Sequence, residues 1–279
     1  MKVAIIGTGL IGGSMALKLR AAGMGDLFIG VEKDPEHAKK AIERKIVDEV
    51  LSLEEAIENS DLIILSIPVD QSLSEIEYIL NQTDKQIVMA AGSTKKEICE
   101  VIKNHPGRDR FVATHPMWGT EYSGPEAAII NSFSGNSVVI CEKEKSNADA
   151  LKTVEKVYSV LGMRIVYMDT NAHDLHAAYV SHISHITSFA LANTVLEKEK
   201  EDSAIFEMAS AGFESTVRLA KSNPDMWLPI FQQNRENVLD VLNEHISQLK
   251  KFRSCFEKDN YEYMRTLIES ANKIKKIIK

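Results

Sequence analysis

The stretch that most constrains this chain is its start, where the apolar run Lys2 to Ile6 breaks at Gly7-Thr8-Gly9-Leu10-Ile11-Gly12-Gly13-Ser14 and continues as a helix. A short continuous apolar run reads as a strand buried on both faces of a parallel sheet. Gly7 permits a tight turn, Gly9 lets backbone approach a ligand with no Cβ in the way, and Gly12 lets the helix pack close to the strand. The free N–H groups at the helix start, near Leu10 and Ile11, then face an anion with the positive end of the helix dipole behind them. That combination suits the pyrophosphate of a dinucleotide. The next apolar run, Leu27-Phe28-Ile29-Gly30-Val31, ends at Glu32, about twenty residues past the glycines, where such a fold places the acid that binds the adenosine ribose. A carboxylate accepts hydrogen bonds from ribose hydroxyls and repels a 2′-phosphate, so Glu32 predicts NAD over NADP; the adjacent Lys33 leaves room for some NADP use. The competing reading of Glu32 is a plain strand end at the surface. Asp34 reads as a helix cap because Pro35 follows at the first helical position.

With 279 residues the chain is long enough for two domains, since single cores seldom grow beyond about 250 residues. No apolar stretch approaches the roughly 20 residues of a membrane helix, and the Met-Lys start runs straight into the first strand, so the expected location is cytoplasmic, with no membrane partner. Cys99, Cys141 and Cys255 form no C-x-x-C pair and read as buried free thiols. A net charge of −7 gives no basic footprint for nucleic acid, and the C-terminal Lys273, Lys275, Lys276 and Lys279 read as a solvated helix face.

From Met1 to about Asp169, short apolar runs alternate with amphipathic segments, the pattern of βαβ units. Asp61 to Ile67 is the clearest buried strand; it stops at Pro68, which places Ser66 and Pro68 at the carboxyl end where ligands bind. Gln86 to Ala90 is another strand, turned by Gly92-Ser93-Thr94 into a helix, with Thr94 and Glu97 at capping-box spacing and Ser93 free to face the crevice. A strand from Arg110 to Ala113 delivers a long loop, Thr114 to Glu121, carrying His115 at the mouth of the sheet. Runs at Ser137–Cys141 and Arg164–Met168 bracket a helix near Asn147 to Leu161. Beyond Thr170 the period becomes helical. The predicted architecture is therefore α/β, a Rossmann-type, mostly parallel sheet domain over 1–169 followed by an all-helical domain over 170–279.

The pairs His173/His176 and His182/His185 invite a metal reading, but on one regular helix the two pairs point to opposite sides, and neither H-E-x-x-H nor a cysteine partner is present, so no metal is expected. Hydride transfer from an alcohol needs a base, and His115, on the sheet domain, is the better candidate. An acidic substrate needs a fixed cation, for which Arg218 in the helical half is suited; the alternative is an ion pair with Glu214 one turn earlier.

Taken together, Gly7-Thr8-Gly9-Leu10-Ile11-Gly12-Gly13-Ser14, Ser66-Ile67-Pro68, Gly92-Ser93-Thr94-Lys95, His115-Pro116-Met117-Trp118-Gly119-Thr120-Glu121, Ser181-His182-Ile183-Ser184-His185 and the run Arg218 to Trp227 resemble the prephenate dehydrogenase family over nearly the whole chain. The resemblance implies oxidative decarboxylation of prephenate to 4-hydroxyphenylpyruvate with NAD⁺, a step of tyrosine biosynthesis, in a homodimer built through the helical domain. It implies that His115 binds the C4 hydroxyl and takes its proton, that Ser93 orients His115 and the nicotinamide, that Arg218 holds a substrate carboxylate, that His185 lies near the pyruvyl side chain, and that Glu121 and Trp227 shape the pocket entrance.

Three departures stand out: Trp118 where relatives carry a small residue, implying a narrower pocket mouth, Ser184 in place of a frequent proline, and Ser215 where some relatives carry an acid. The nearest alternative is an arogenate dehydrogenase; retention of His185 leans toward prephenate. A β-hydroxyacid dehydrogenase would be expected to carry a catalytic lysine in the helical domain instead of the His115 loop. A non-catalytic NAD(H)-sensing module would explain the glycines but leave His115 and Arg218 unused.

Overall fold

The computed structural model describes residues 1–200 and 203–277, so Lys279 of the basic run lies outside the described residues. The first half runs β1 (Lys2–Ile6), α1 (Leu10–Ala21), β2 (Leu27–Val31), α2 (Pro35–Glu43), β3 (Glu49–Val50), α3 (Leu53–Glu58), β4 (Leu62–Leu65), α4 (Val69–Gln82), β5 (Ile87–Ala90), α5 (Lys96–Val101), β6 (Phe111–Pro116), β7 (Ser137–Cys141), α6 (Ala148–Val160) and β8 (Arg164–Met168). The eight strands form one sheet in the order β3-β2-β1-β4-β5-β6-β7-β8. β1 to β6 are parallel, whereas β7 runs antiparallel to β6 and β8 follows β7. The order reverses between β1 and β4, and ligands of such sheets bind at that switch point, outside the carboxyl ends of the strands.

Both faces of the sheet are covered, which is why its strands read as unbroken apolar runs. Val3, Ile5, Ile64, Met89 and Val112 pack with Met15 and Leu19 of α1 and Val154 and Tyr158 of α6. Ala4, Ile6, Ile63, Leu65, Val88 and Phe111 point the other way, onto Ile57, Ile76, Ile79 and Ile98 of α3, α4 and α5. Asp34 caps α2 as expected, accepting from the N–H groups of Glu36 and His37.

Two expectations are corrected here. The strand that carries His115 does not end at Ala113: pairing with β7, His115 opposite Val139, holds it extended to Pro116, so His115 stands in a strand rather than a loop. Thr94 and Glu97 form no capping box. The N–H groups of Lys95 and Lys96 at the start of α5 are bound instead by the carboxylate of Asp174, at 2.8 and 3.0 Å, and the Thr94 hydroxyl donates to Gln233 at 2.5 Å.

The second half is helical among the described residues: α7 (Thr170–Ala177), a π-turn over Ala178–His182, α8 (Ile183–Glu199), α9 (Ala211–Val217), α10 (Pro224–Gln233), α11 (Arg235–Glu257) and α12 (Tyr261–Ala271). The π-turn breaks the regular phase between the two histidine pairs, which the sequence pattern had treated as one uninterrupted helix; it leaves His173 and His182 both buried and His176 exposed. The chain forms two compact units, Met1–Asn234 and Arg235 onward. α7 to α10 thus share a unit with the sheet, because α7 packs on α5 and because Trp227 and Ile230 of α10 pack on Val69 of α4. In the second unit α11 and α12 pack on each other, with Asn260 capping α12.

Candidate active site

The crevice begins at the glycine turn. Gly7 has φ of +91°, a conformation that disfavours any side chain. A Cβ on Gly12 would lie 2.2 Å from Ser66 Oγ and 2.3 Å from the Gly7 carbonyl, so α1 can seat against β1 and β4 only because Gly12 has none. Gly9 caps α1, and a Cβ there would meet nothing nearer than the Gly124 backbone at 3.9 Å. That open space over the first N–H groups of α1, at Leu10 and Ile11, is a cradle of the kind a pyrophosphate fills. Ser66 and Pro68 stand where expected, just past β4, but the Ser66 hydroxyl is directed to the carbonyl oxygens of Gly7 and Ile6, at 2.9 and 3.1 Å, and so braces the turn; Pro68 precedes the first residue of α4.

Glu32 ends β2 and turns back to the glycines. Its Oε2 accepts from the backbone N–H and hydroxyl of Thr8, at 3.2 and 3.0 Å. The carboxylate is thereby held beside the glycine turn rather than left on an open strand end. The segment after β6 folds back over α1: the N–H of Ile129 donates to Ser14 Oγ at 2.8 Å, and the Arg44 guanidinium binds the carbonyls of Pro125 and Ala128. Within it, Trp118, half-buried, packs edge-on against Phe133 and the sheet core.

Strand alternation places Phe111, Ala113 and His115 on one face of β6, toward α7, with Val112 and Thr114 on the other. His115 Nδ1 lies 2.8 Å from His173 Nε2, and His173 Nδ1 lies 2.7 Å from Asp174 Oδ1. Ser93, expected to orient His115, is half-buried and makes no hydrogen bond among the described residues; the partner on His115 is His173. Burial drives the His115 imidazole well below its usual pKa, aided by His173 and Lys95 nearby; burial also lowers that of His173, against the opposing pull of Asp174. Burial alone would raise Asp174, yet the His173 ring and the N–H groups of Lys96 and Lys95 hold it below the ordinary carboxylate range. Lys95 is itself buried, its pKa lowered by desolvation, with Nζ 3.4 Å from the Ala90 carbonyl.

Asn234 extends this cluster, donating from Nδ2 to the Asp174 carbonyl at 2.7 Å and lying 3.2 Å from His182 Nδ1. His182 meets Trp227 edge-on at 5.9 Å, and Trp227 stacks on His185 with centroids 3.5 Å apart. His182 Nε2 and Trp227 Nε1 are buried with no hydrogen-bond partner among the described residues. Arg218 reaches Glu121, not Glu214: Nη1 stands 2.8 Å from the Glu121 carboxylate, and its charge helps keep the His185 imidazole neutral after burial. Ser184 and Ser215 are exposed.

The structure thus joins His115, His173, Asp174, Asn234, His182, Trp227 and His185 through successive contacts, with Arg218 and Glu121 as an ion pair. Asp174, Asn234 and Lys95 carry no role in the sequence pattern, and His173 and His182 draw attention there only as metal candidates. Lys95 and Asn234 flank helix ends, and His173 and Asp174 share the buried face of α7 with Thr170 and Ala177, so no apolar periodicity marks them.

A nucleotide crevice at a sheet switch point, a buried imidazole at the end of a neighbouring strand and a cation on the helical side define a nucleotide-dependent dehydrogenase with a helical companion domain. Residues 15–167 match the family profile described as prephenate dehydrogenase, nucleotide-binding domain, and residues 169–270 that of its dimerization domain. The chain belongs to the prephenate dehydrogenase family. It is 26% identical over 273 residues to a prephenate dehydrogenase of Bacillus subtilis, covering 96% of this chain and 74% of that one. It is 27% identical over 282 residues to a cyclohexadienyl dehydrogenase of Zymomonas mobilis, covering 99% and 96%. Among solved structures, prephenate dehydrogenase from Aquifex aeolicus, in complex with hydroxyphenyl propionate and NAD⁺, superimposes with a TM-score of 0.88 at 29% identity, over 100% of this chain and 98% of that one. An arogenate dehydrogenase from Synechocystis gives 0.74 at 25% identity, over 99% of each.

Proposed function

We propose that this crevice carries out NAD-dependent oxidative decarboxylation of prephenate to 4-hydroxyphenylpyruvate, with residues 1–169 serving the cofactor and 170–279 the substrate and the dimer contact. The observation that carries this reading is His115: a neutral imidazole at the carboxyl end of β6, buried except for 8% of its surface and held from behind by His173. When bound, NAD⁺ supplies the hydride acceptor. Gly7, Gly9, Gly12 and the N–H groups of Leu10 and Ile11 cradle its pyrophosphate; Glu32 takes the ribose; Ser66 and Pro68 frame the crevice.

His115 accepts the C4 hydroxyl proton as hydride leaves C4. The bond from C1 to the ring carboxylate then breaks, CO₂ departs, the electron pair aromatises the ring, and a proton returns to the phenolic oxygen. Ser93 lines the nicotinamide side. Arg218, using one of its donors on Glu121, has the rest of its fork for a substrate carboxylate, and His185 stacked on Trp227 forms the wall against the side chain. Because aromatisation makes the step one-way, the protein need only position the reactants and stabilise charge.

A homodimer is supported by α11, whose exposed Leu239, Ile246, Leu249 and Phe256 recur at a near-heptad spacing. No helix among the described residues is long and apolar enough to cross a membrane. We place this biosynthetic enzyme in the cytoplasm. The deciding test is a steady-state assay with prephenate and arogenate, each with NAD⁺ and NADP⁺. Turnover fastest with prephenate and NAD⁺ supports the reading; faster turnover of arogenate replaces the substrate, and NAD⁺ binding with neither acid oxidised removes the function.

A further inference from the structure

The contacts behind His115 assign a proton to each nitrogen in turn. The Asp174 carboxylate is acceptor-only once ionised, and its two oxygens already receive the N–H groups of Lys95 and Lys96. His173 Nδ1, at 2.7 Å from Asp174 Oδ1, must therefore be the donor of that pair. A neutral imidazole has one donor and one acceptor, so His173 Nε2 is left as an acceptor, and His115 Nδ1, at 2.8 Å, must donate to it. By the same count His115 Nε2 carries the lone pair. It has no protein partner among the described residues.

We propose that Asp174 and His173 are positioning residues that lock His115 in the tautomer whose Nε2 is the free base. This rests on the dehydrogenase reading above, and goes beyond it by explaining why the base is a base. The anchoring is unusual in its path: the carboxylate that sets the tautomer also caps the start of α5, four residues past Gly92, so the turn beside the nicotinamide and the direction of the catalytic imidazole are set by one side chain. When His115 takes up a proton, its Nδ1–H polarises toward His173 and, through it, toward the anion of Asp174. The other titratable groups facing this chain are Lys95 before α5, Glu97 on α5, His176 on α7 and His182 in the π-turn.

The test is nitrogen NMR of the full-length protein labelled at histidine, which reads tautomers directly. Wild type should show His115 protonated at Nδ1 at neutral pH, and the opposite tautomer would overturn the proposal with no variant needed. Asp174 Oδ1 accepts from both the Lys95 N–H and His173 Nδ1, so Asp174→Ala removes the acceptor that fixes the His173 tautomer. The Nδ1-protonated share of His115 should fall, and kcat should drop by about 10² or more with KM for NAD⁺ changed less than about twofold. A folded Asp174→Ala protein with wild-type tautomer and kcat would likewise overturn it. If the wild type shows the expected tautomer yet oxidises neither cyclohexadienyl acid, the assay has failed the functional reading and not this one.

Discussion

Arg218 and Glu121, 97 positions apart in the chain, meet as an ion pair with 2.8 Å between Nη1 and the carboxylate. The arginine side chain is 48% exposed, so the pair contributes little to stability. Its value lies in aiming the guanidinium. Arg218→Gln should raise KM for the acid by about tenfold or more and leave KM for NAD⁺ within about twofold, whereas Glu121→Gln should raise KM for the acid by a smaller factor. Thermal unfolding of both variants should stay close to wild type. A rise confined to KM for NAD⁺ would place Arg218 on the wrong ligand.

His115→Asn keeps a side-chain donor for His173 but removes the base. Turnover should drop by about 10² or more while NAD⁺ binding, read by fluorescence titration, is largely kept. Unchanged turnover would take His115 out of the chemistry.

The two inner glycines separate fold from ligand. Gly12→Ala forces a Cβ to within 2.3 Å of the Gly7 carbonyl, which is backbone and has no alternative rotamer, so both the melting temperature and NAD⁺ affinity should fall. Gly9→Ala meets no protein atom nearer than 3.9 Å. It should melt near wild type and still lose NAD⁺ affinity by about tenfold, because only the pyrophosphate competes for that space. Equal NAD⁺ affinity in Gly9→Ala would move the cofactor off the cradle.

Acid should weaken the fold through its buried imidazoles. His115, His173 and His182 are all held neutral below the ordinary value of 6.5, His182 down to about 4, chiefly by burial. As pH falls below 6.5 the unfolded chain binds protons that the folded chain refuses, so the stability present above that value is lost on the way down to about 4. Each such histidine can contribute a slope of up to about 1.4 kcal/mol per pH unit. Urea unfolding across this range should show a falling free energy, less steep in His182→Gln; a flat profile would mean these rings stay solvated. The same shifts keep His115 unprotonated at neutral pH, so the acid limb of kcat/KM should lie below the usual histidine range.

What the linear chain determined was whatever short-range pattern can encode. The unbroken apolar run from Val3 to Ile6, the spacing of Gly7, Gly9 and Gly12, the position of Glu32 after the second run and the change of period at Thr170 are local consequences of strand burial, backbone freedom and helix geometry. They sufficed for the parallel sheet, the nucleotide crevice and the helical second half, and the ordered motifs pointed to His115 and Arg218. Only the tertiary structure decided the partners. His173 stands behind His115, Asp174 rather than Thr94 caps α5, Glu121 rather than Glu214 holds Arg218, and β7 draws His115 into a strand. Each of these joins residues tens of positions apart, and no local propensity distinguishes the helix residue that faces the His115 imidazole from one that faces solvent. A π-turn of five residues settled even which of four histidines point inward, because it shifts helical phase without leaving a mark in the periodicity on either side.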